Sequence, residues 1–497
     1  MSVNDPSQDH SSTPDPNRST VRVWIDRRPI FLVIASRFRK QLFGALLLGL
    51  FLGALSLEPP DGLKTDGYRV MCLFGLCVVL WASNLIPLSI TSLVAMAGVP
   101  LLTNVETADA YRYFGHPVVF FVLGAFILGA VVVSCGLSTR IAVWVLGRFG
   151  RTPRRLVLSI YGLCAFLSCF MSEHAVAAMM FPIVVELVRG LNLKTGRSPM
   201  AKAMFLALAW GCIIGGTLTV LGGGRGPLAI GFLEEATGNA ETISFLGYIA
   251  YGLPLVLILL AVGAFVLWTF FPPEISSVDS ARERLERQVH LLGKISWREQ
   301  GVALVLLTTI CGWIVLGHGV GMANIAICGV AALFLLRLAS WREVEENVNW
   351  GIILTYGGAI CLAGALMNPE IGAKQWITQN LPLEEHSSPA AFLLIVGAVV
   401  VILTEFMSNS AVIAILMPMA LALAPPDIDP RAVTMAVVLP SNFAFMLPMA
   451  TPATALSYSS GAFRPFEVMR FGLLLDLAGY LSLVFLVTVY WPATGLL

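Results

Sequence analysis

Met171-Ser172-Glu173-His174-Ala175-Val176-Ala177-Ala178-Met179-Met180-Phe181-Pro182 recurs as Met407-Ser408-Asn409-Ser410-Ala411-Val412-Ile413-Ala414-Ile415-Leu416-Met417-Pro418, with Met, Ser, Ala, Val, Ala and Pro at matching places. Each copy lies inside a long apolar run and interrupts it with polar residues. In lipid such a break is costly unless its polar groups face a cavity or other protein. Paired breaks in two halves of an apolar chain point to the binding site of a transporter.

The chain of 497 residues is 57% hydrophobic and 12% charged, against about a quarter charged in soluble domains. The fold class is therefore an all-α polytopic membrane protein. Apolar stretches long enough to cross the hydrocarbon recur from Leu42 onward, and about eleven are expected, interrupted ones included. The net charge of +1 identifies no partner; the placement of the charges matters more. Arg22, Arg27, Arg28, Arg37, Arg39 and Lys40 precede the first apolar run, and Arg148, Arg151, Arg154 and Arg155 crowd one loop. By the positive-inside rule the amino terminus and these loops are cytoplasmic, and an odd number of crossings places the C-terminus outside.

Four segments follow: a basic N-terminal part, 1–40, whose first residues read as a disordered tail; a first transmembrane half, 41–271; a charged cytoplasmic linker, 272–299; and a second half, 300–497. No cleavable leader is expected, because the first apolar run starts too far in and is long enough to span. The nine cysteines lie scattered in apolar stretches without a C-x-x-C pair and read as small buried hydrophobes.

The surroundings of the two copies also match. Phe120 to Leu128 and Ile352 to Ile360 are apolar runs too short to cross and return, each followed by an amphipathic piece, so two re-entrant hairpins are expected. A second interruption comes later in each half, GCIIGGTLTVLGGGRGP at 211–227 and PSNFAFMLPMATPATAL at 440–456. Four broken elements need partners for their freed backbone groups. An odd number of crossings per half makes the arrangement an inverted repeat.

At these residues the chain resembles the divalent anion/sodium symporter family of the ion transporter superfamily. The family's mark is a Ser-Asn-Thr tripeptide at each hairpin tip, followed by an Ala-rich helix with a Pro; Ser408-Asn409-Ser410, preceded by Thr404-Glu405, is similar to the second copy. Leu447-Pro448-Met449-Ala450-Thr451-Pro452-Ala453-Thr454 is similar to the family's second loop, and Ile86-Pro87-Leu88-Ser89-Ile90-Thr91 is a weaker match. The resemblance implies cation-coupled transport of a dicarboxylate, citrate or sulfate by an elevator movement, in a homodimer. It departs in the first half, where Ser172-Glu173-His174 replaces Ser-Asn-Thr and Gly222-Gly223-Gly224-Arg225-Gly226 replaces Gly-Thr-Pro-Pro-Asn.

The chemistry of these positions sets the expected roles. Free amides at helix N-termini attract an anion, and serines there also cap the helix. Ser172, His174, Ser408, Asn409, Ser410 and Thr454 are the expected substrate contacts. Sodium needs oxygen ligands at unwound backbone, and Ser408, Asn409, Ser410, Ala450 and Thr451 supply them as one retained sodium site. Sodium is the expected coupling ion, with no other cofactor. Glu173 and Arg225 are expected to pair, since ionisable groups survive in a membrane by pairing, with the Arg225 cation in place of one transported sodium. Glu405 is expected to hydrogen-bond the hairpin backbone, whereas Asp476 has no obvious partner; both read as structural. The glycine run lacks the Lys-Ser/Thr of a nucleotide loop, and neither a nucleophile elbow nor a zinc-protease motif occurs. Neither an enzyme nor a nucleic-acid binder is expected. A sodium/proton antiporter or arsenite-type exporter, and a non-transporting receptor, remain as rival readings.

Overall fold

The computed structural model of the chain describes residues 30–380, 388–447 and 450–497. Every regular element among them is helical. Contacts separate two units, Met1–Leu50 and Phe51–Leu497. The described part of the first unit is the beginning of α1 (Ile30–Leu55), where Leu42, Leu46 and Leu50 stand exposed, as suits a helix clothed in lipid. The expected disordered tail, with Arg22, Arg27 and Arg28, lies outside the described residues.

The second unit continues with α2 (Thr65–Ser83), α3 (Leu88–Leu102), α4 (Thr107–Tyr111), α5 (Pro117–Ser134), α6 (Leu137–Phe149), α7 (Pro153–Ser168), α8 (Glu173–Gly190), α9 (Pro199–Leu218), α10 (Arg225–Ala236) and α11 (Phe245–Phe270). Then come α12 (Asp279–Leu292), α13 (Trp297–Val320), α14 (Met322–Leu335), α15 (Trp341–Asn347), α16 (Trp350–Met367), α17 (Ala373–Asn380), α18 (Pro389–Phe406), α19 (Asn409–Leu423), α20 (Pro430–Val438), α21 (Pro452–Ser459), α22 (Pro465–Phe485) and α23 (Trp491–Thr494). Among the described residues nine helices are long and apolar enough to cross a membrane, and α3, α14 and α19 are shorter apolar helices beside them.

Local sequence explains where these helices start. Thr152-Pro153, Ser198-Pro199, Ser388-Pro389 and Thr451-Pro452 each put a hydroxyl at the N-cap and a proline at the first helical position. The hydroxyl accepts an orphan amide, and the proline has no N–H to leave unpaired there. The two short runs extend further than expected: Phe120 to Leu128 and Ile352 to Ile360 are the middles of α5 and α16, each 18 residues long. Each is followed by the predicted shorter piece, α6 and α17. The charged linker contains a helix, α12, which packs on α6 and α8. Arg140 of α6 ties down its end, donating to the Leu292 and Gly293 carbonyls and to Glu299. All nine cysteines are free; Cys77, Cys164, Cys212 and Cys361 are buried as expected, but Cys311 and Cys328 are exposed on apolar helices.

The core centres on α9 and α16, the most completely buried of the spanning helices. Trp210 and Phe205 of α9 and Tyr356 of α16 are fully buried. Small residues allow the backbones to approach. A Cβ at Gly215 of α9 would overlap the Ala165 carbonyl of α7, and one at Gly358 of α16 would overlap the Ser92 carbonyl of α3. The valine variant Gly215→Val must push α7 and α9 apart. It should lose about 1–3 kcal/mol of stability, read as a lowered thermal midpoint of the detergent-solubilised protein; an unchanged midpoint would contradict this packing.

Candidate functional site

Both copies of the repeated motif open a helix. Ser172 Oγ accepts the Ala175 N–H at 3.3 Å at the start of α8, and Ser408 Oγ accepts the Ala411 N–H at 3.3 Å at the start of α19. The second interruptions fall between α9 and α10 and between α20 and α21. The halves interlock crosswise: α8 packs against α21, and α19 against α10.

In the first half, Glu173 is the first residue of α8 and Arg225 the first of α10. Arg225 Nη1 donates to Glu173 Oε1 at 3.1 Å and Nη2 to Oε2 at 2.8 Å. This fork is the strong form of the pair, and the side chains are 7% and 1% exposed. A cation at a helix N-terminus opposes the dipole, while a carboxylate there is favoured; Glu173 compensates Arg225 directly. The Glu173 N–H also donates to the Gly222 carbonyl at 3.0 Å, tying the two breaks together.

The glycines leave room for the guanidinium. A Cβ at Gly216 would stand 3.1 Å from Glu173 Oε2 and 3.4 Å from Arg225 Nη2, and one at Gly223 would stand 3.2 Å from Arg225 Cζ. Two tyrosines close the surroundings: a Cβ at Gly226 would lie 3.1 Å from the Tyr248 hydroxyl, and one at Gly224 would overlap that of Tyr356. The Tyr356 hydroxyl is buried without a hydrogen-bond partner among the described residues.

His174 flanks this closed pair. Its Nδ1 is 3.6 Å from Glu173 Oε1 and has no hydrogen-bond partner among the described residues, and its side chain is 36% exposed. Together with Ser172, Ala178, Met179 and Asn349 it lines a cavity of about 490 Å³ between α5, α8 and the start of α16. That volume suits a small ligand. A larger cavity, about 780 Å³, beside Pro117, Phe121 and Met322, holds none of the motif residues.

The second half carries neutral groups in a chain of hydrogen bonds. Thr404 Oγ1 lies 2.9 Å from Asn409 Oδ1 and donates to the Ser441 carbonyl at 2.6 Å. Asn409 Nδ2 donates to Asn442 Oδ1 at 3.4 Å, and Asn442 Nδ2 donates to the Ile213 carbonyl of α9 at 2.8 Å and to Thr217 Oγ1. Amide and hydroxyl thus link the second motif to the first half. Ser410 is half-buried. Thr451 and Thr454 form a reciprocal cap on α21, each hydroxyl accepting the other's N–H at 3.2 Å, with Ala450 buried just before them. Pro448 and Met449 of this loop lie outside the described residues.

The structure therefore brings together Glu173, Arg225 and His174, and separately Asn409 with Thr404 and Asn442. Ser408, Ser410 and Thr454 are not among the described residues lining the His174 cavity. No group of three or more His, Cys, Asp or Glu is placed to hold a metal among the described residues; a cation here would rely on hydroxyl, amide and carbonyl oxygens. Glu405 accepts the Met446 N–H at 2.9 Å and the Leu447 N–H at 2.8 Å, so it holds the second interruption and not, as expected, the hairpin. Asn442 and Thr217 were legible as polar residues inside broken apolar runs; nothing local distinguishes Tyr248 or Tyr356.

Two solved structures share the fold. One is MtrF of Neisseria gonorrhoeae, described as illuminating a class of antimetabolite efflux pumps, with a TM-score of 0.55 at 13% identity over 86% of this chain and 96% of that one. The other is the YdaH transporter of Alcanivorax borkumensis, with a TM-score of 0.55 at 16% identity over 86% of this chain and 99% of that one. In sequence, the chain is 28% identical to the sodium-dependent dicarboxylate transporter SdcS of Staphylococcus saprophyticus, over 91% of each chain. It is 24% identical to the SdcS of Staphylococcus aureus strain RF122, over 94% of this chain and 95% of that one. Residues 40–497 match the family described as the sodium:sulfate symporter transmembrane region, and the chain belongs to that family of transporters.

Proposed function

We propose that this chain is a secondary transporter of small dianions of the dicarboxylate class, coupled to sodium through its second half alone. The observation that carries the reading is the asymmetry between two copies of one motif. The second offers neutral oxygens and amides at Ser408, Asn409 and Ser410; the first is closed by the Glu173–Arg225 fork beside the open imidazole of His174. The sodium-dependent dicarboxylate relatives and the family itself support an anion as cargo.

In this reading the N-termini of α8 and α19 draw the substrate carboxylates through their dipoles and free amides. Ser172 and His174 contact one end, and Ser408, Asn409, Ser410 and Thr454 the other. Sodium binds among Ser408, Asn409, Ser410, Ala450 and Thr451, where backbone carbonyls at the break add oxygens. The first half needs no transported cation, because Arg225 brings its own charge and Glu173 neutralises it. The two halves then form an inverted repeat, with basic loops on the cytoplasmic side and a homodimer carrying an elevator movement.

Uptake of labelled succinate, citrate and sulfate into proteoliposomes, each with and without sodium, tests the reading. Sodium-stimulated uptake of at least one is expected, and none for any would overturn it. Arg225→Ala should abolish uptake or make it depend on a second cation; normal uptake with unchanged ion dependence would refute the surrogate charge. Asn409→Ala should weaken the sodium dependence severalfold while the first-half pair stays intact. Glu173→Gln strands a buried guanidinium and should lose about 3–5 kcal/mol, whereas pairing it with Arg225→Met should recover most of that loss. Thermal midpoints of the single and double variants check this.

A further inference from the structure

From Gly136 to Phe170 the chain carries Arg140, Arg148, Arg151, Arg154 and Arg155 and no aspartate or glutamate. Two of these arginines are engaged elsewhere in the fold. Arg140 pairs with Glu299, and the Arg154 guanidinium lies over the Trp268 ring of α11, 4.7 Å from its centroid. Arg148, Arg151 and Arg155 are exposed, and none of them pairs with a carboxylate among the described residues.

These three line one cavity of about 440 Å³ between α6 and α7. The turn that presents them is fixed by its own hydrogen bonds. The Gly150 N–H donates to the Leu146 carbonyl, the Arg151 N–H to the Phe149 carbonyl, and Arg151 Nε to the Arg148 carbonyl at 3.2 Å. Thr152 Oγ1 accepts the Arg155 N–H and so caps α7. The other walls are apolar, with Val145 and Phe149 from α6 and Leu158 from α7. Gly162 keeps the groove open along α7, because a Cβ there would meet nothing within 4 Å. Trp144 and Phe166 stand exposed on the same two helices. Exposed rings of this kind suit the boundary between hydrocarbon and headgroups.

A ligand that fits here carries negative charge for the arginines and hydrocarbon for the walls. Guanidinium groups match phosphate oxygens in a fork, and basic pockets between transmembrane helices hold phospholipid headgroups. Arginines that only snorkel to water need no concave apolar wall beside them. An acidic peptide would answer the charge and leave the groove along Gly162 unfilled. We propose that the α6–α7 turn binds one anionic phospholipid, its phosphate held by Arg148, Arg151 and Arg155 and the start of an acyl chain lying along Val145, Leu158 and Gly162. Since α7 runs from this turn to Ser168, just before the first motif, the bound lipid anchors the base of the segment that carries Ser172 and His174.

The purified full-length protein in neutral detergent tests this without reference to any transported substrate. Phosphatidylglycerol added to the micelles should raise its thermal midpoint and remain bound as an adduct in native mass spectra, and phosphatidylcholine should do neither. The triple variant Arg148→Gln, Arg151→Gln, Arg155→Gln should weaken phosphatidylglycerol binding at least tenfold. Arg154→Gln removes one charge from the same turn but none from the cavity, and should leave the lipid-induced shift unchanged. Gly162→Leu keeps every arginine and fills the groove, and should weaken binding severalfold; as nothing lies near that position, the variant folds where the triple does not. Equal effects of the two lipids overturn the proposal, as does undiminished binding in the triple variant. Full binding by Gly162→Leu shows surface attraction in place of a seated lipid and overturns it too. So does an equal shift produced by water-soluble glycerol phosphate, which would make the site one for a free phosphate.

Discussion

A guanidinium at the first residue of a helix, inside an apolar bundle, needs a carboxylate against it, and the first half is organised around that need. Arg225 opens α10 against the dipole, and Glu173 opens α8 with it. The fork between them joins two helix starts that are 52 residues apart in sequence. Gly216, Gly222 and Gly223 allow the breaks to close on the guanidinium, and Tyr248 and Tyr356 wall it in. Removing the carboxylate would leave the buried guanidinium without its ion-pair partner.

The second half meets the same demand with neutral side-chain dipoles and one carboxylate. Its break is held by the Thr404, Asn409 and Asn442 side chains and by the Glu405 carboxylate on two successive amides. Each device satisfies backbone that an interrupted helix leaves unpaired in a layer without water. Because Asn442 also reaches α9, and because α8 meets α21 while α19 meets α10, neither half's break is supported by its own half alone.

Much of this was legible in the residues. Breaks followed from polar or glycine-rich interruptions in apolar runs. The Glu173–Arg225 pair followed from the expense of lone charges in lipid. The extent of α5 and α16 was not legible, because apolar composition does not mark where a helix stops within a continuous apolar stretch. Nor was the grip of Glu405 on Met446 and Leu447, since the partners are backbone amides, which every residue but proline carries.

The sequence by itself determined an all-helical membrane chain, its repeated motif, and which ionisable residues had to find one another. Those conclusions rest on solvation, which acts on residue type and needs no coordinates. Only the tertiary structure decided which helix start faces which, that His174 opens to a cavity while Arg225 is sealed, and that Glu405 holds the Met446 and Leu447 amides. Such choices depend on helix rotation and close approach at Gly215, Gly358 and Gly472, where fractions of an ångström of backbone packing select one neighbour over another.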